Sequence, residues 1–178
     1  MFVSALSLGP RGWIQVVNFV LVGLSFLALA RGLAAQFPTG TASRAAPILF
    51  AIIGISLIGS GPLVMDPVGT RSPEMSLHGQ AHQLLGALVF SLGPASAIVL
   101  FRRFRRDDGW RRMAAWTLFA AVLMMVAVVL LKLATLPPPA SPNALTPWVG
   151  VIQRVALVTL MAWVTSVGVR MLTRERAP

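Results

Sequence analysis

The sequence has no cysteine, no tyrosine and only two histidines. Without cysteine the chain forms no disulfide, no thiolate zinc site and no thiol-based active site. Without tyrosine it has no phenolic general acid, and two histidines limit any metal site to two imidazole ligands.

Charged residues are also scarce. They make up 11% of the chain, whereas 56% of residues are hydrophobic and the mean hydropathy is +0.79. Soluble domains carry roughly 25% charged residues, so this chain has too few to cover a surface that faces water. Long apolar runs in such a chain indicate a membrane protein. The sequence therefore predicts an all-α, polytopic transmembrane helix bundle.

The net charge of +10 is the feature that would favour a nucleic-acid partner. Its distribution argues against that reading, because six of the 15 basic residues lie between Arg102 and Arg112. This segment connects two apolar runs, which is typical of a basic loop beside a membrane. We therefore expect the lipid bilayer to be the partner and exclude nucleic acid.

The apolar runs predict five spans within a single domain, residues 1–178. Each run is long enough to cross a hydrocarbon core of about 30 Å. The predicted spans are at about 13–31, 46–64, 82–101, 113–132 and 148–172.

Proline, glycine and serine add local expectations to these spans. Gly61-Pro62 should loosen the end of the second span, and Pro94 is tolerable inside a membrane helix. Ser56 and Ser60 are small residues four apart, which favours close approach of a neighbouring helix. Ser72-Pro73 has the pattern of a helix cap followed by a first-turn proline.

The basic residues predict the orientation. If the loop at 102–112 is cytoplasmic, alternation places 11 of the 15 basic residues inside. Only three then lie outside and one, Arg154, lies in the membrane. We therefore expect an inner (plasma) membrane protein with its N-terminus outside and its C-terminus in the cytoplasm.

This orientation collects the unusual polar residues at the outer level of the membrane. Asp66 ends the second span, and the third begins near a histidine pair. Because the two histidines are four residues apart, they share one helix face. The full set is Gln15, Asn18, Asp66, His78, His82, Gln153 and Arg154.

Several short motifs together resemble the bacterial integral membrane family called "domain of unknown function 998". The resemblance covers nearly the whole chain, and its combination of motifs is fairly specific. The motifs are Ser4-Ala5-Leu6-Ser7-Leu8-Gly9-Pro10-Arg11-Gly12-Trp13, Asn18-Phe19, Met65-Asp66-Pro67, Leu77-His78-Gly79-Gln80-Ala81-His82 and Gln153-Arg154.

The resemblance implies an integral membrane protein with six helices, of which the first precedes the Ser-x-Leu-Gly segment. This chain lacks that helix, so we expect either a start assigned too late or a truncated member. The family name carries no activity. The resemblance therefore implies the class of protein and leaves its function open.

Three hypotheses for the polar set remain open. The first is a pocket on the extracytoplasmic face that binds a lipid headgroup or a small solute through Asp66, His78, His82, Gln153 and Arg154, with Asn18. Another is a structural role, in which Asp66 and Arg154 form a buried ion pair that holds two spans together.

The remaining hypothesis, from a different class, is a metal-dependent membrane hydrolase. His78 and His82 have the spacing that lets two imidazoles bind one zinc ion, and Asp66 would be the third ligand and complete the catalytic set. This pattern weakly resembles ceramidase-like transmembrane hydrolases, which generally offer three histidines where this chain has two. We expect no haem, because ligands four apart on one helix do not reach both faces of a porphyrin.

Overall fold

The computed structural model describes residues 1–67, 69–70, 72–135 and 142–175. Three short 3₁₀ segments, Val3–Leu8, Ser72–Glu74 and Thr146–Trp148, accompany the helices. No β-strand occurs in these described ranges, and the predicted all-α class is confirmed. The helices are α1 (Gly12–Gln36), α2 (Ala45–Ser60), α3 (Leu77–Phe104), α4 (Arg111–Thr135) and α5 (Val149–Glu175).

The helix lengths confirm a multi-pass membrane protein. In the described part of the chain, α1, α3, α4 and α5 are each long and apolar enough to cross a membrane. The second helix has only 16 residues, which is about 24 Å at a rise of ~1.5 Å per residue. It ends at Ser60 rather than at residue 64, because the backbone nitrogen of Pro62 has no hydrogen to donate and the proline disfavours helix before it.

The helices pack in chain order, each against the next, and α1 and α2 make the most extensive contact. Their backbones meet at Gly23 and Gly54. A Cβ atom built on Gly23 would lie 2.6 Å from the carbonyl oxygen of Gly54, and one built on Gly54 would lie 2.8 Å from that of Gly23. Real side chains do not approach this closely, so only glycine permits the crossing.

The small residues that the sequence singled out have a different role. Ser56 and Ser60 are both buried, but the Ser60 hydroxyl donates to the Ser56 carbonyl of its own helix, at 2.8 Å. Gly54, two residues before Ser56, makes the backbone contact with α1. Sequence spacing alone does not distinguish these two small-residue positions.

At one end of the bundle, where α1, α3 and α5 finish, aromatic rings close the interior. We call this the basic end. Phe37, Phe104 and Trp110 are almost fully buried there, and the last two stack with ring centroids 4.6 Å apart. Arg103 lies over the Phe37 ring at 4.7 Å and donates to the Thr39 carbonyl at 2.8 Å. The α1–α2 loop and the α3–α4 loop are thereby joined.

Two tryptophan side chains join α4 to α5 in the apolar interior. The Trp163 indole nitrogen donates to the Thr117 hydroxyl at 3.1 Å, and the Trp116 indole nitrogen donates to the Ser166 hydroxyl at 2.8 Å. Hydrogen bonds between membrane helices contribute on average about 0.6 kcal/mol each. Thr117 is the polar residue within the fourth predicted span, and its bond to Trp163 accounts for its position.

The third helix continues through Pro94, as predicted for a membrane helix. The Ser96 hydroxyl donates to the Gly93 carbonyl at 2.8 Å beside the proline.

The crossing of α1 and α2 gives a prediction. Gly23→Ala and Gly54→Ala should each destabilise the protein by about 1–3 kcal/mol, because the added methyl group forces two backbones apart. A Cβ at Gly86, which also lies inside a helix, would meet nothing within 4 Å. Gly86→Ala should therefore be neutral or stabilising, since alanine is the better helix former. Unfolding in detergent measures all three; equal loss in all three variants would contradict the assigned crossing.

Candidate functional site

The end of the bundle opposite the basic end is where α1, α3 and α5 begin and α2 finishes. We call it the N-terminal end, and the polar residues singled out in the sequence belong to it. Two nearby backbone segments also take part. They are the 3₁₀ segment Val3–Leu8 and the irregular chain after Ser60.

The carboxylate of Asp66 caps the start of α3. Its Oδ2 accepts from the Ser76 backbone nitrogen at 2.9 Å, and its Oδ1 accepts from the Ser76 hydroxyl at 2.7 Å. Ser76 is the N-cap residue, whose Oγ accepts from the Gly79 nitrogen at 3.0 Å. A negative charge over the first turn of a helix is stabilised by the unpaired N–H groups there. Both oxygens of Asp66 thus have a structural role.

The cap also explains why residue 79 is a glycine. A Cβ atom on Gly79 would collide with the Asp66 carboxylate. The cap also corrects two predictions, since α3 begins at Leu77 rather than near His82, and its N-cap is Ser76 rather than Ser72. Ser72 instead starts a short 3₁₀ turn.

Arg154 does not pair with Asp66, so the predicted ion pair is wrong. Its Nη1 donates to the Gly150 carbonyl at 2.8 Å and to the Met1 carbonyl at 3.3 Å, and the side chain is exposed. The ion pairs seen among the described residues join Arg103 to Asp107 and Arg111 to Asp108, both in the α3–α4 loop region. The physical reason is that Asp66 already bonds Ser76, while Arg154 lies on an exposed face of α5.

The two histidines have different surroundings. His82 is nearly buried, its Nδ1 lies 2.7 Å from the Leu63 carbonyl oxygen, and its ring meets the Phe19 ring edge-on at 5.9 Å. Because a carbonyl oxygen only accepts, Nδ1 carries the proton, and Nε2 of the neutral ring is an acceptor. No described group bonds Nε2. His78 is exposed.

The structure does not assemble a three-residue metal site from Asp66, His78 and His82. No group of three His, Asp or Glu side chains with suitable geometry occurs among the residues that the structure describes, which include all three. The carboxylate oxygens bond Ser76, and the Nδ1 of His82 faces a carbonyl, which leaves the Nε2 of that ring open to a ligand. The metal site stays a prediction.

The two glutamines are nearly buried, with 8% of Gln15 and 5% of Gln153 exposed. The Oε1 atom of Gln153 accepts from the Val3 backbone nitrogen at 2.7 Å, which fastens the 3₁₀ segment to α5. Neither the Nε2 of Gln153 nor the side-chain amide of Gln15 has a partner within the described ranges. Asn18, the remaining candidate, is exposed.

One face of α1 contacts both the 3₁₀ segment and the His82 ring. Gly12, Gln15 and Phe19 are three and four residues apart, so they lie one above another on the helix. Gly12 packs against the Ser7 backbone, and Phe19 packs against His82. Gln15 therefore lies between the 3₁₀ segment, which Gln153 holds, and the His82 ring.

Three contributors to this end were missed in the sequence. They are the backbone of Met1 and Val3, the Leu63 carbonyl, and Ser76. Backbone groups carry no signal in a sequence. Ser76 does, because serine directly before an apolar helical run is a common N-cap.

Chemically, the N-terminal end offers hydrogen-bond donors and acceptors in a nearly buried setting. His82 Nε2 accepts, Gln153 Nε2 donates, and the Gln15 amide does both. The exposed guanidinium of Arg154 adds a positive charge. Such a set can hold a polar or anionic group.

A family model described as "Protein of unknown function (DUF998)" matches residues 1–170. Comparison with curated proteins and with solved structures finds no match.

Double-mutant cycles test the assignment of Asp66 to the helix cap. Asp66→Ala and Ser76→Ala should each cost about 0.5–2 kcal/mol of stability, and their costs should not add, because both remove one cap. Asp66→Ala and Arg154→Ala should add to within about 0.5 kcal/mol, as independent sites do. Unfolding of the three single and two double variants in detergent provides the measurement. A large coupling between Asp66 and Arg154 would restore the ion pair.

Proposed function

The chain belongs to the DUF998 family of proteins of unknown function, and we propose that it is a ligand-binding protein of the bacterial inner membrane. The ligand is a lipid headgroup or a small polar solute. It binds at the N-terminal end of the bundle, which faces the extracytoplasmic side. The basic end, with the loop between α3 and α4, faces the cytoplasm.

The distribution of charge supports this orientation. Five arginines that flank the α3–α4 loop are exposed, and positive loops are retained on the cytoplasmic side of membranes. The N-terminal end, by contrast, has few basic residues among those described. The arginines are Arg102, Arg105, Arg106, Arg111 and Arg112.

The observation that carries the proposal is unused hydrogen-bonding capacity in a nearly buried place. Gln15, His82 and Gln153 are each at most 8% exposed, and each keeps a polar atom that bonds no described residue. These unbonded atoms are not fully sealed from solvent, so a water or a polar group of a ligand can reach them and form the hydrogen bonds that the protein leaves open.

The residues at the rim of the site favour an anionic ligand. Arg154 is exposed beside Gln153, and its guanidinium already faces the backbone carbonyls of Gly150 and Met1. His78 and Asn18 are exposed at the same end. The positive charge of Arg154 at the rim and the neutral donors further inside suit a phosphate-bearing headgroup better than a positively charged ligand. In this proposal Asp66 positions α3 and does not bind the ligand.

Gln15→Leu is the sharpest test. Because the Gln15 amide has no partner in the described structure, this variant should leave stability unchanged or raise it. It should also weaken ligand binding about 10-fold, which corresponds to one lost hydrogen bond. The measurement is the thermal shift of detergent-purified protein with glycerol 3-phosphate, phosphoethanolamine and short-chain phosphatidylglycerol. Gln83→Leu, an exposed glutamine of α3, is the matched control.

Two outcomes would sink the proposal. The first is that no probe shifts the wild-type unfolding temperature while Gln15→Leu is neutral. The second is a stoichiometric amount of zinc in purified protein, lost in His82→Ala, which would put the hydrolase hypothesis first.

A further inference from the structure

We infer that the basic end carries a second binding site, for an anionic phospholipid of the surrounding leaflet. A groove of about 620 Å³ lies there between the end of α3, the α1–α2 loop and α4. One part of its wall is cationic and the other is apolar. This site is separate from the one proposed at the N-terminal end, since the two lie at opposite ends of the bundle.

The cationic part of the groove consists of Arg102, Arg105 and Arg106. The spacing of three and four residues places these side chains on one side of the helix end. All three are exposed, and none pairs with a carboxylate in the described ranges. Three like charges held this close repel one another, and an anionic headgroup between them removes that repulsion.

Two neighbouring arginines, unlike the three in the groove, do pair with carboxylates. Arg103 lies 3.6 Å from the Asp107 carboxylate, and Arg111 lies 2.8 Å from that of Asp108. Arg103 also caps the Phe37 ring and bonds the Thr39 carbonyl. These two arginines hold the loop together and do not line the groove. Of the four arginines of this region without a described carboxylate partner, Arg102, Arg105 and Arg106 line the groove and Arg112 does not.

The apolar part of the wall indicates a lipid rather than a free anion. Ile98, Phe101 and Leu118 line the groove beside the arginines. The Arg105 guanidinium lies 5.9 Å from the centroid of the Phe101 ring, which marks the boundary between the two parts. A phospholipid has a matching arrangement, with its charged headgroup directly beside its apolar acyl chains. Basic grooves between helices at the cytoplasmic level commonly take anionic headgroups in this way.

The test is a titration of the full-length, detergent-purified protein with dioleoyl-phosphatidylglycerol, followed by native mass spectrometry. Dioleoyl-phosphatidylcholine, with identical chains and no net charge, is the lipid control. Replacing Arg102, Arg105 and Arg106 together by Gln should weaken phosphatidylglycerol binding on the order of 100-fold, since each cation contributes roughly a factor of five. Leu118→Trp should also weaken it, because the indole fills the apolar part without changing any charge.

The matched control replaces Arg31, Arg44 and Arg112 by Gln. It removes the same charge from exposed positions outside the groove, and it should change the affinity less than a few-fold. If it weakens binding as much as the groove variant, the attraction is diffuse and the site is overturned. Competition by inorganic phosphate at the lipid's own concentration, or unchanged binding in Leu118→Trp, would also overturn it. His82→Ala should retain binding, which separates this test from that of the first site.

Discussion

A hydrocarbon environment offers no partner to a polar group, and this constraint explains where each polar side chain of the bundle lies. Within the helices, hydroxyl groups bond carbonyls of their own turn, as Ser60 does with Ser56 and Thr159 with Val155. Tryptophan nitrogens bond hydroxyls of a neighbouring helix, as Trp163 does with Thr117. Polar groups that have no such partner are gathered at the ends of the bundle, where water and headgroups reach them.

The two ends meet this constraint in different ways. At the basic end, aromatic rings fill the interior and Arg103 spans the Phe37 ring, the Thr39 carbonyl and the Asp107 carboxylate. Excess charge remains on the outer wall of a groove. At the N-terminal end the interior itself is polar, and Gln15 is left without a protein partner in the described structure. This difference is the basis of the two proposals, an anionic lipid at the basic end and a polar ligand at the N-terminal end.

Close approach between segments is the second requirement that the bundle satisfies, and glycine makes it possible. Gly23 and Gly54 allow α1 and α2 to cross, and Gly79 leaves room for the Asp66 carboxylate over the start of α3. The last of these links packing to the site. Because Asp66 is held at α3 by this fit, it is not free to pair with Arg154, and Arg154 reaches the N-terminal backbone instead.

The amino-acid sequence by itself determined the class of protein. Apolar runs of sufficient length in a chain with few charges specify membrane helices, because each run must bury its own backbone polar groups. The same reasoning correctly allowed Pro94 inside α3, and it located the end of the bundle at which Gln15, His82 and Gln153 lie. These properties depend on residues close together in the chain, so their pattern is visible without a structure.

The tertiary structure alone decided the partners of the polar residues. The sequence predicted Arg154 as the partner of Asp66, and only the fold shows that Ser76 is bonded instead. The histidine pair shares a helix face, yet His82 faces the Leu63 carbonyl while His78 is exposed. Partners such as the Leu63, Gly150 and Met1 carbonyls are backbone atoms common to every residue. Their choice depends on distances between helices, which residue types and spacing do not encode.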